Sequence, residues 1–184
     1  MNRYDPPLTL RQRWEHMHYA KEERKLRPLC KWIDFYDYIW SYGKLDFRGK
    51  TIIDIGADIG STALYFLRKG ASFVYLLEND KAYNKIYEKL KASDGYPQLR
   101  NTALLQPHEL TTRADILKMD CEGCEQQLLT DELLKKFGQF AVALHRPQLD
   151  SYQFGQKKKL LEKHGGRYFG NINKQEFLWL KEKR

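Results

Sequence analysis

The sequence predicts an α/β fold with a doubly wound, mostly parallel sheet. From residue 51 onward, short apolar runs alternate with helical patterns, which is typical of βαβ units. Two glycines, Gly56 and Gly60, follow the first apolar run, where such folds turn from strand to helix. Two alternating runs near the C-terminus, around residues 171–174, predict an antiparallel hairpin at the sheet edge. Together these features indicate a Rossmann-like architecture.

Two helices are predicted before the sheet. Residues 8–26 read as a charge-rich helix that Thr9 can cap and Pro28 limits. Residues 29–40 place apolar side chains at spacings of three and four, and Gly43 follows as a stop signal. We interpret residues 1–50 as a helical extension and residues 51–184 as the Rossmann-like domain.

Five strands and four helices are predicted to alternate before the hairpin. The strands are placed at 51–55, 73–78, 101–106, 114–119 and 139–145, and the helices at 61–70, 81–93, 124–137 and 151–165. Runs that are apolar throughout are typical of strands covered by helices on both faces of a sheet. The predicted hairpin spans residues 167–182.

Length and composition limit the classes of protein that fit. The chain has 184 residues, of which 42% are hydrophobic, enough for one domain with a buried core. We expect no membrane span, because no run of 18 apolar residues occurs. We also expect a reducing, cytoplasmic setting, because the N-terminus lacks a secretory signal and three cysteines are too few and uneven for a disulfide framework.

Charge is distributed unevenly along the chain, which carries a formal net charge of +8. Residues 1–50 hold 11 Lys/Arg against 7 Asp/Glu, residues 51–134 hold 9 against 13, and residues 135–184 hold 12 against 4. The middle is therefore acidic and the flanks are basic. Basic flanks suit an anionic partner such as nucleic acid, phosphate or a membrane surface. The alternative is a lysine-rich surface in contact with solvent.

The first strand-to-helix turn predicts a nucleoside-binding site. Ligands of open α/β sheets lie at the carboxyl ends of the strands. Gly56 permits a sharp turn with close approach of a ligand, and Gly60 lets the next helix begin nearby. Glu78 ends the second strand, where a carboxylate can accept hydrogen bonds from both hydroxyls of a ribose.

The charge of this turn favours S-adenosylmethionine over a dinucleotide. Asp54 and Asp58 flank Gly56, and an acidic pair repels a pyrophosphate but suits a sulfonium and an amino group. A P-loop is excluded, because no Gly-Lys-Ser/Thr follows the turn. The plain structural alternative is that Gly56 and Gly60 only shape a turn.

A second acidic group is predicted at the same crevice, in the sequence "DCEGCE" after the fourth strand. Asp120 or Glu122 could act as a base for a hydroxyl acceptor, hold the acceptor, or hold a divalent ion. Glu122 and Glu125 could instead favour the N-terminus of the next helix through its dipole. His145, which ends the fifth strand, could orient or deprotonate an acceptor, or simply face solvent.

The sequence C-x-x-C within this segment has several interpretations. A redox pair needs a thioredoxin-like context, and zinc needs two further ligands. Neither accompanies Cys121 and Cys124. We therefore predict no metal centre and expect two small residues packed in the turn.

Two motifs carry a resemblance to a known family. "DIGADIG" (residues 54–60) and "ILKMDCEGCEQQLL" (residues 116–129) resemble the corresponding motifs of FkbM-like class I methyltransferases. Asp58 stands where that family usually has Asn, and Cys124 where it has Ala or Ser. The resemblance implies binding of S-adenosyl-L-methionine at the first motif and methyl transfer at the second. The implied cofactor-binding residues are Asp54, Gly56, Ala57, Asp58, Gly60, Glu78 and Asn79, and the candidate catalytic residues are Asp120, Glu122 and His145.

Three functions follow as hypotheses. The first is O-methylation of a small molecule or glycan by an FkbM-like enzyme. The second is methylation of RNA, guided by the basic flanks, which would make binding strongly dependent on salt. The third is a non-catalytic protein that keeps the cofactor fold as a scaffold. The sequence leaves the oligomeric state open.

Overall fold

A computed structural model of the chain describes residues 8–31, 33–110, 112–146, 148–171 and 175–183. Within these residues, seven strands form one sheet: β1 (Thr51–Ile55), β2 (Phe73–Leu77), β3 (Thr102–Leu104), β4 (Ile116–Met119), β5 (Gln139–His145), β6 (Arg167–Asn171) and β7 (Glu176–Lys181).

The order of strands across the sheet is β3-β2-β1-β4-β5-β7-β6. Strands β1 to β5 are parallel, and β7 pairs antiparallel with both β5 and β6. The predicted fold class, a mostly parallel sheet with a C-terminal antiparallel hairpin, is confirmed. From β1 the chain adds strands on one side of the sheet, β2 and then β3, and afterwards on the other side, β4 and then β5. The two directions part between β1 and β4, and such a point leaves a crevice at the carboxyl ends of the two strands.

The helices described are α1 (Leu10–Leu26), α2 (Phe35–Tyr42), α3 (Ser61–Arg68), α4 (Lys81–Ala92), α5 (Glu125–Leu128), α6 (Asp131–Leu134) and α7 (Ser151–Lys163). Short 3-10 helices occupy Pro97–Asn101 and Pro107–Glu109. No helix in the described ranges is long and apolar enough to cross a membrane.

Two predicted helices differ from the observed ones. The helix predicted at 124–137 is instead α5 and α6, because Thr130 adopts an extended backbone and its hydroxyl accepts the N–H of Leu133 to cap a new helix. The helix predicted at 29–40 begins later, at Phe35, because the carboxylate of Asp34 accepts the N–H groups of Tyr36 and Asp37.

Alternate residues of each central strand face opposite sides of the sheet. On β1, Ile52 packs into a hydrophobic cluster shared with α1, α2 and α3, whereas Ile53 packs into a second cluster with Leu161 of α7. This two-residue alternation with both sides buried is what a sheet covered on both faces requires.

The two N-terminal helices pack on α3. The ring of Tyr19 stacks on Phe35 with centroids 4.7 Å apart, and both belong to the cluster that contains Ile52. The ammonium of Lys69, the C-cap residue of α3, pairs with Glu15 on α1 at 3.0 Å. Helices α1 and α2 therefore share a core with the sheet. The division of the chain at residue 50 stays a prediction.

The C-terminal hairpin places one residue at the site described below. Residues 172–174, in the predicted turn, lie outside the described residues. The antiparallel register pairs His145 at the end of β5 with Glu176 at the start of β7. Glu176 consequently lies at the carboxyl edge of the parallel strands, although it is far from them in sequence.

Candidate functional site

A cavity of about 720 Å³ opens at the carboxyl ends of β1, β2 and β4. Its wall is formed by the turn after β1, the turn after β4, the end of β2 and side chains from α2. It lies where the strand order reverses, which is the usual ligand position in such sheets. Of the predicted cofactor-binding residues, the lining includes Gly56, Asp58, Glu78 and Asn79.

The turn after β1, residues 56–60, packs directly against the turn after β4. Gly56 has φ 76°, and a Cβ there would stand 1.9 Å from the carbonyl oxygen of Asp120. No side chain fits at this position. Gly60, with φ 84°, is the N-cap of α3. Ala57 is 1% exposed and packs beneath the turn.

The carboxylate of Glu78 is fixed at the end of β2 by two backbone donors. The N–H of Asp58 donates to one of its oxygens at 2.9 Å, and the N–H of Asp80 donates to the other at 2.7 Å. Each carboxylate oxygen has a second lone pair, so both can still accept a hydrogen bond from a ligand. Asn79 is exposed at the rim beside it.

Asp58 presents a second carboxyl group to the cavity. Its backbone is left-handed, with φ 49°, a conformation that is uncommon outside glycine. Burial and the negative charge of Glu78 raise the pKa of Asp58 to about 7, although Lys118 opposes the rise. A cationic ligand group beside Asp58 would restore its charge.

Asp54 lies below the turn, away from the cavity. Its side chain is 0% exposed and pairs with the ammonium of Lys118 at 2.9 Å. Thr62 donates a hydrogen bond to the same carboxylate, and Lys118 also donates to the carbonyl of Gly56. Burial opposes the charge of Lys118, but Asp54 raises its pKa above the usual value. Asp54 and Lys118 thus hold the turn from beneath.

The turn after β4, residues 120–125, contains both predicted catalytic carboxylates. Asp120 lines the cavity and accepts a hydrogen bond from the hydroxyl of Tyr42 at 3.3 Å. Glu122 also lines the cavity, is exposed, and has φ 50°. Each of the two turns therefore contains an acidic residue in the left-handed conformation at the cavity wall.

Cys121 and Cys124 form a disulfide, with Cα atoms 5.6 Å apart. The sequence predicts only two small residues packed in this turn, and the bond between them corrects that prediction. The tight turn around Gly123, with φ 127°, brings the two Cα atoms within bonding range. Both cysteines line the cavity, whereas Cys30 is buried elsewhere in the core.

His145 is buried among three carboxylates. Its Nδ1 lies 2.9 Å from Glu125, and its Nε2 lies 3.3 Å from Asp120 and 3.5 Å from Glu176. Burial opposes protonation, but these three partners outweigh it and raise the pKa of His145 to about 12. A ring that keeps its proton has no lone pair to accept another. Of the roles predicted for His145, the geometry favours orientation, and the solvent-facing alternative is wrong.

Glu125 contacts this histidine and also lies in the first turn of α5, where the predicted interaction with the helix dipole stays open. Its side chain is 0% exposed. One carboxylate oxygen accepts the backbone N–H of His145 at 3.0 Å, and the other accepts the N–H of Gly123 at 2.8 Å. Glu125 therefore joins the turn after β4 to the end of β5.

Asp120 and Glu176 share His145 but differ in proton affinity. Burial favours a neutral Asp120, but His145 and Lys118 outweigh it and lower its pKa to about 2. Burial and the charge of Asp120 raise the pKa of Glu176 to about 7. Glu176 lines the cavity and is thus the group at this edge that can exchange a proton near neutral pH.

Sequence reasoning missed Glu176, Tyr42 and Lys118. A lysine inside the apolar run "ILKM" signals a buried ion pair, and Glu176 could have been found by pairing the predicted hairpin with β5. The potential ligand atoms of Asp120, His145 and Glu176 lie within 4.8 Å of one another. Because the imidazole carries its proton, these groups pair with each other, and the absence of a metal stays a prediction.

Solved structures similar to this chain are methyltransferases. A ribosomal protein L11 methylase from Lactobacillus delbrueckii subsp. bulgaricus has a TM-score of 0.60 at 14% identity, over 82% of this chain and 78% of that chain. Fibrillarin from Aeropyrum pernix, in complex with natively bound S-adenosyl-L-methionine, has a TM-score of 0.56 at 14% identity, over 77% and 70%.

A SAM-dependent methyltransferase from Aquifex aeolicus has a TM-score of 0.53 at 15% identity, over 89% of this chain and 96% of that chain. At these identities the likeness establishes the fold, which is that of class I methyltransferases.

Sequence relatives come from viruses of Sulfolobus islandicus. No protein-family profile matches the chain. It is 40% identical over 111 residues to "Uncharacterized protein 65" of Sulfolobus islandicus filamentous virus (isolate Iceland/Hveragerdi), which is 59% of this chain and 68% of that protein. It is 36% identical over 118 residues to "Uncharacterized protein 158B" of Sulfolobus islandicus rod-shaped virus 1, covering 63% and 72%. The chain belongs to the same family as these two viral proteins.

Proposed function

We propose that the protein is an S-adenosylmethionine-dependent methyltransferase that methylates a hydroxyl oxygen. The observation that carries this proposal is the fixed carboxylate of Glu78 at the end of β2, beside a glycine turn and across a cavity from ionisable groups on β4 and β7. The fold neighbours support it, because one of them holds S-adenosyl-L-methionine in its structure.

The residues of the cavity fit this cofactor. The two oxygens of Glu78 suit a ribose diol, and Ile33, Leu77 and Tyr83 provide an apolar wall nearby for the base. Asp58 and Asn79 offer polar groups for the charged end. When bound, S-adenosylmethionine supplies an electrophilic methyl group. In this proposal, Gly56, Ala57 and Gly60 shape the turn, and Asp54 supports it through Lys118.

The second turn and the hairpin would handle the acceptor. Methyl transfer depends mainly on alignment, and a hydroxyl also needs a proton acceptor. Glu176 suits this role because its pKa lies near neutrality. Asp120, which stays ionised, can accept a hydrogen bond from the hydroxyl, and the protonated His145 keeps Asp120 and Glu176 in place. Glu122 at the rim can contact the acceptor.

The methyl acceptor could be a small molecule, a glycan or a macromolecule. The two sequence motifs favour an FkbM-like enzyme acting on a small molecule or glycan. Fold neighbours are named for ribosomal protein and for fibrillarin, so a macromolecular acceptor is equally compatible with the fold. The exposed side chains of α1, outside the cavity, help to decide between a small and a macromolecular acceptor.

Calorimetric titration tests the cofactor assignment. We expect wild type to bind S-adenosylmethionine and not NAD. Glu78→Ala should weaken binding by about 1–3 kcal/mol, because a hydrogen-bonded charged group is lost. Glu88→Ala, which removes an exposed carboxylate on α4, is the matched control and should bind like wild type. Failure of wild type to bind the cofactor would overturn the proposal, and equal binding by Glu78→Ala would refute the ribose assignment.

A further inference from the structure

The outward side of α1 carries three large apolar side chains in a row. Leu10 is 85% exposed, Trp14 64% and Met17 72%. Residues at these spacings lie on one side of a helix, so the three form a stripe along its first two turns. The ring of His18 adjoins Trp14, with centroids 4.0 Å apart. An aromatic pair held outward in this way offers a flat surface for stacking.

Basic residues surround and extend this stripe. At about 100° per residue, the stripe continues directly through Lys21 and Lys25. Arg24 and Arg13 border it on one side and Arg11 on the other. All five basic side chains are exposed. We define the α1 basic face as these residues together with the apolar stripe: Leu10, Arg11, Arg13, Trp14, Met17, His18, Lys21, Arg24 and Lys25.

The acidic residues of α1 all point the other way and are paired. Glu15 binds Lys69 and Glu22 binds Arg68, both at the C-terminal end of α3. Glu23 binds Arg27 at 2.7 Å and accepts the N–H of Phe35. The helix therefore uses its negative charges to dock on the protein and presents only cations and apolar groups outward. This separation of acidic and basic side chains makes the outward face of α1 complementary in charge to a polyanion.

We propose that the α1 basic face binds single-stranded RNA, as a guide for the methyl acceptor. Cations at regular spacing pair with phosphates, and an exposed tryptophan with an adjacent imidazole stacks on unpaired bases. An acidic membrane surface fits less well, because apolar groups occupy only the first half of the face and Lys21 and Lys25 replace them in the second. RNA is favoured over DNA because unpaired bases are its ordinary state in cells.

The face also leads toward the cavity. Arg27, at the C-terminal end of α1, and Lys31, just after it, both belong to the cavity wall. A strand that lies on α1 therefore meets a basic rim before it reaches the carboxyl groups of Asp120 and Glu176. The guiding role rests on the proposed methyltransferase function, whereas binding of RNA to α1 stands independently of it.

Fluorescence anisotropy with a short, labelled, single-stranded RNA of mixed sequence tests the proposal. Arg24→Gln/Lys25→Gln should weaken binding roughly tenfold at low salt and reduce the slope of log affinity against log salt by about 0.7 for each phosphate that no longer pairs with a cation. Trp14→Ala should also weaken binding roughly tenfold, through reduced stacking, with little change in salt dependence. Lys158→Gln/Lys159→Gln removes two exposed charges from α7, against the other face of the sheet, and should bind like wild type.

The outcomes separate this inference from the proposed function. Equal RNA binding by wild type and the α1 variants, or no RNA binding by wild type, overturns it. Preference for single-stranded DNA of the same sequence, or for vesicles rich in phosphatidylserine, overturns it too. Calorimetry with S-adenosylmethionine on the same variants should show unchanged affinity. Cofactor binding without RNA binding refutes only the α1 inference, and RNA binding without cofactor binding refutes only the methyltransferase.

Discussion

The charges buried beneath the first turn are balanced, whereas those beneath the second turn are not. Under residues 56–60, one carboxylate, Asp54, faces one ammonium, Lys118, at 2.9 Å, and both side chains are almost completely buried. At the second turn, residues 120–125, three carboxylates surround the single imidazolium of His145: two from the turn itself, Asp120 and Glu125, and Glu176 from β7. Of the first pair, Asp54 is fully buried and Lys118 reaches the cavity wall, whereas the second group opens into the cavity through Asp120 and Glu176.

The balanced pair supports the fold, whereas the unbalanced cluster contains a group that can exchange a proton. In a buried pair of equal and opposite charges, removing either partner is strongly destabilising, because the other charge is left uncompensated. A buried cluster with excess negative charge raises the pKa of one of its members and so keeps a group ready to exchange a proton. The buried pair therefore supports the first turn from beneath, whereas the cavity groups whose pKa lies near 7 are Asp58 on that turn and Glu176 at the start of β7.

Breaking the balanced pair should have the largest effect. Lys118→Met leaves Asp54 buried without its cation, and we expect a loss of about 3–5 kcal/mol in the free energy of unfolding. Urea denaturation measures it. The double variant Asp54→Asn/Lys118→Met removes both charges and should recover most of the loss. Equal destabilisation of the single and double variants would show that Lys118 contributes packing rather than charge.

Neutralising one member of the unbalanced cluster should have the opposite effect on stability. The folded-state pKa of Glu176 is raised from 4.5 to about 7. Its protonated form therefore adds stability that is complete below pH 4.5 and is lost as the pH rises through 7. Glu176→Gln cannot ionise, so above that range we expect the variant to be more stable than wild type by about 3 kcal/mol. Urea denaturation across this pH range measures the difference.

The same variant should lose activity. Transfer of a tritiated methyl group to RNA or to a cell extract should fall about 100-fold, while calorimetric affinity for S-adenosylmethionine is unchanged. Glu182→Gln, at an exposed position beyond the end of β7, is the control for both measurements. A Glu176→Gln variant less stable than wild type above neutral pH would mean that both clusters are structural.

The sequence predicts the first turn well because its parts are local. Gly56, Gly60 and Glu78 belong to one βαβ unit, whose geometry is fixed by short-range rules. Strands β1 and β5 begin and end at the predicted residues, since their apolar runs are sharply bounded.

The second turn is less predictable because its parts are distant in sequence. Glu176 reaches Asp120 only through the antiparallel pairing of β7 with β5, and no spacing rule encodes that. Lys118 meets Asp54 through the parallel pairing of β4 with β1. The pKa of His145 depends on two carboxylates of the turn after β4 and on Glu176 of β7, which meet only in the folded protein. The burial of these side chains and the contacts between them follow from tertiary structure. Residue type alone therefore does not predict their protonation.

The disulfide of the second turn should contribute least. It joins residues three apart, and closing so short a loop restricts the unfolded chain little. We expect Cys124→Ser to lower the free energy of unfolding by about 2 kcal/mol, and reduced wild type to match the variant. Affinity for S-adenosylmethionine should stay unchanged, because the backbone donors that fix Glu78 belong to Asp58 and Asp80, outside the bonded turn. Alkylation of unfolded, unreduced wild type should label Cys30 alone, and labelling of all three cysteines would show that the turn closes without the bond.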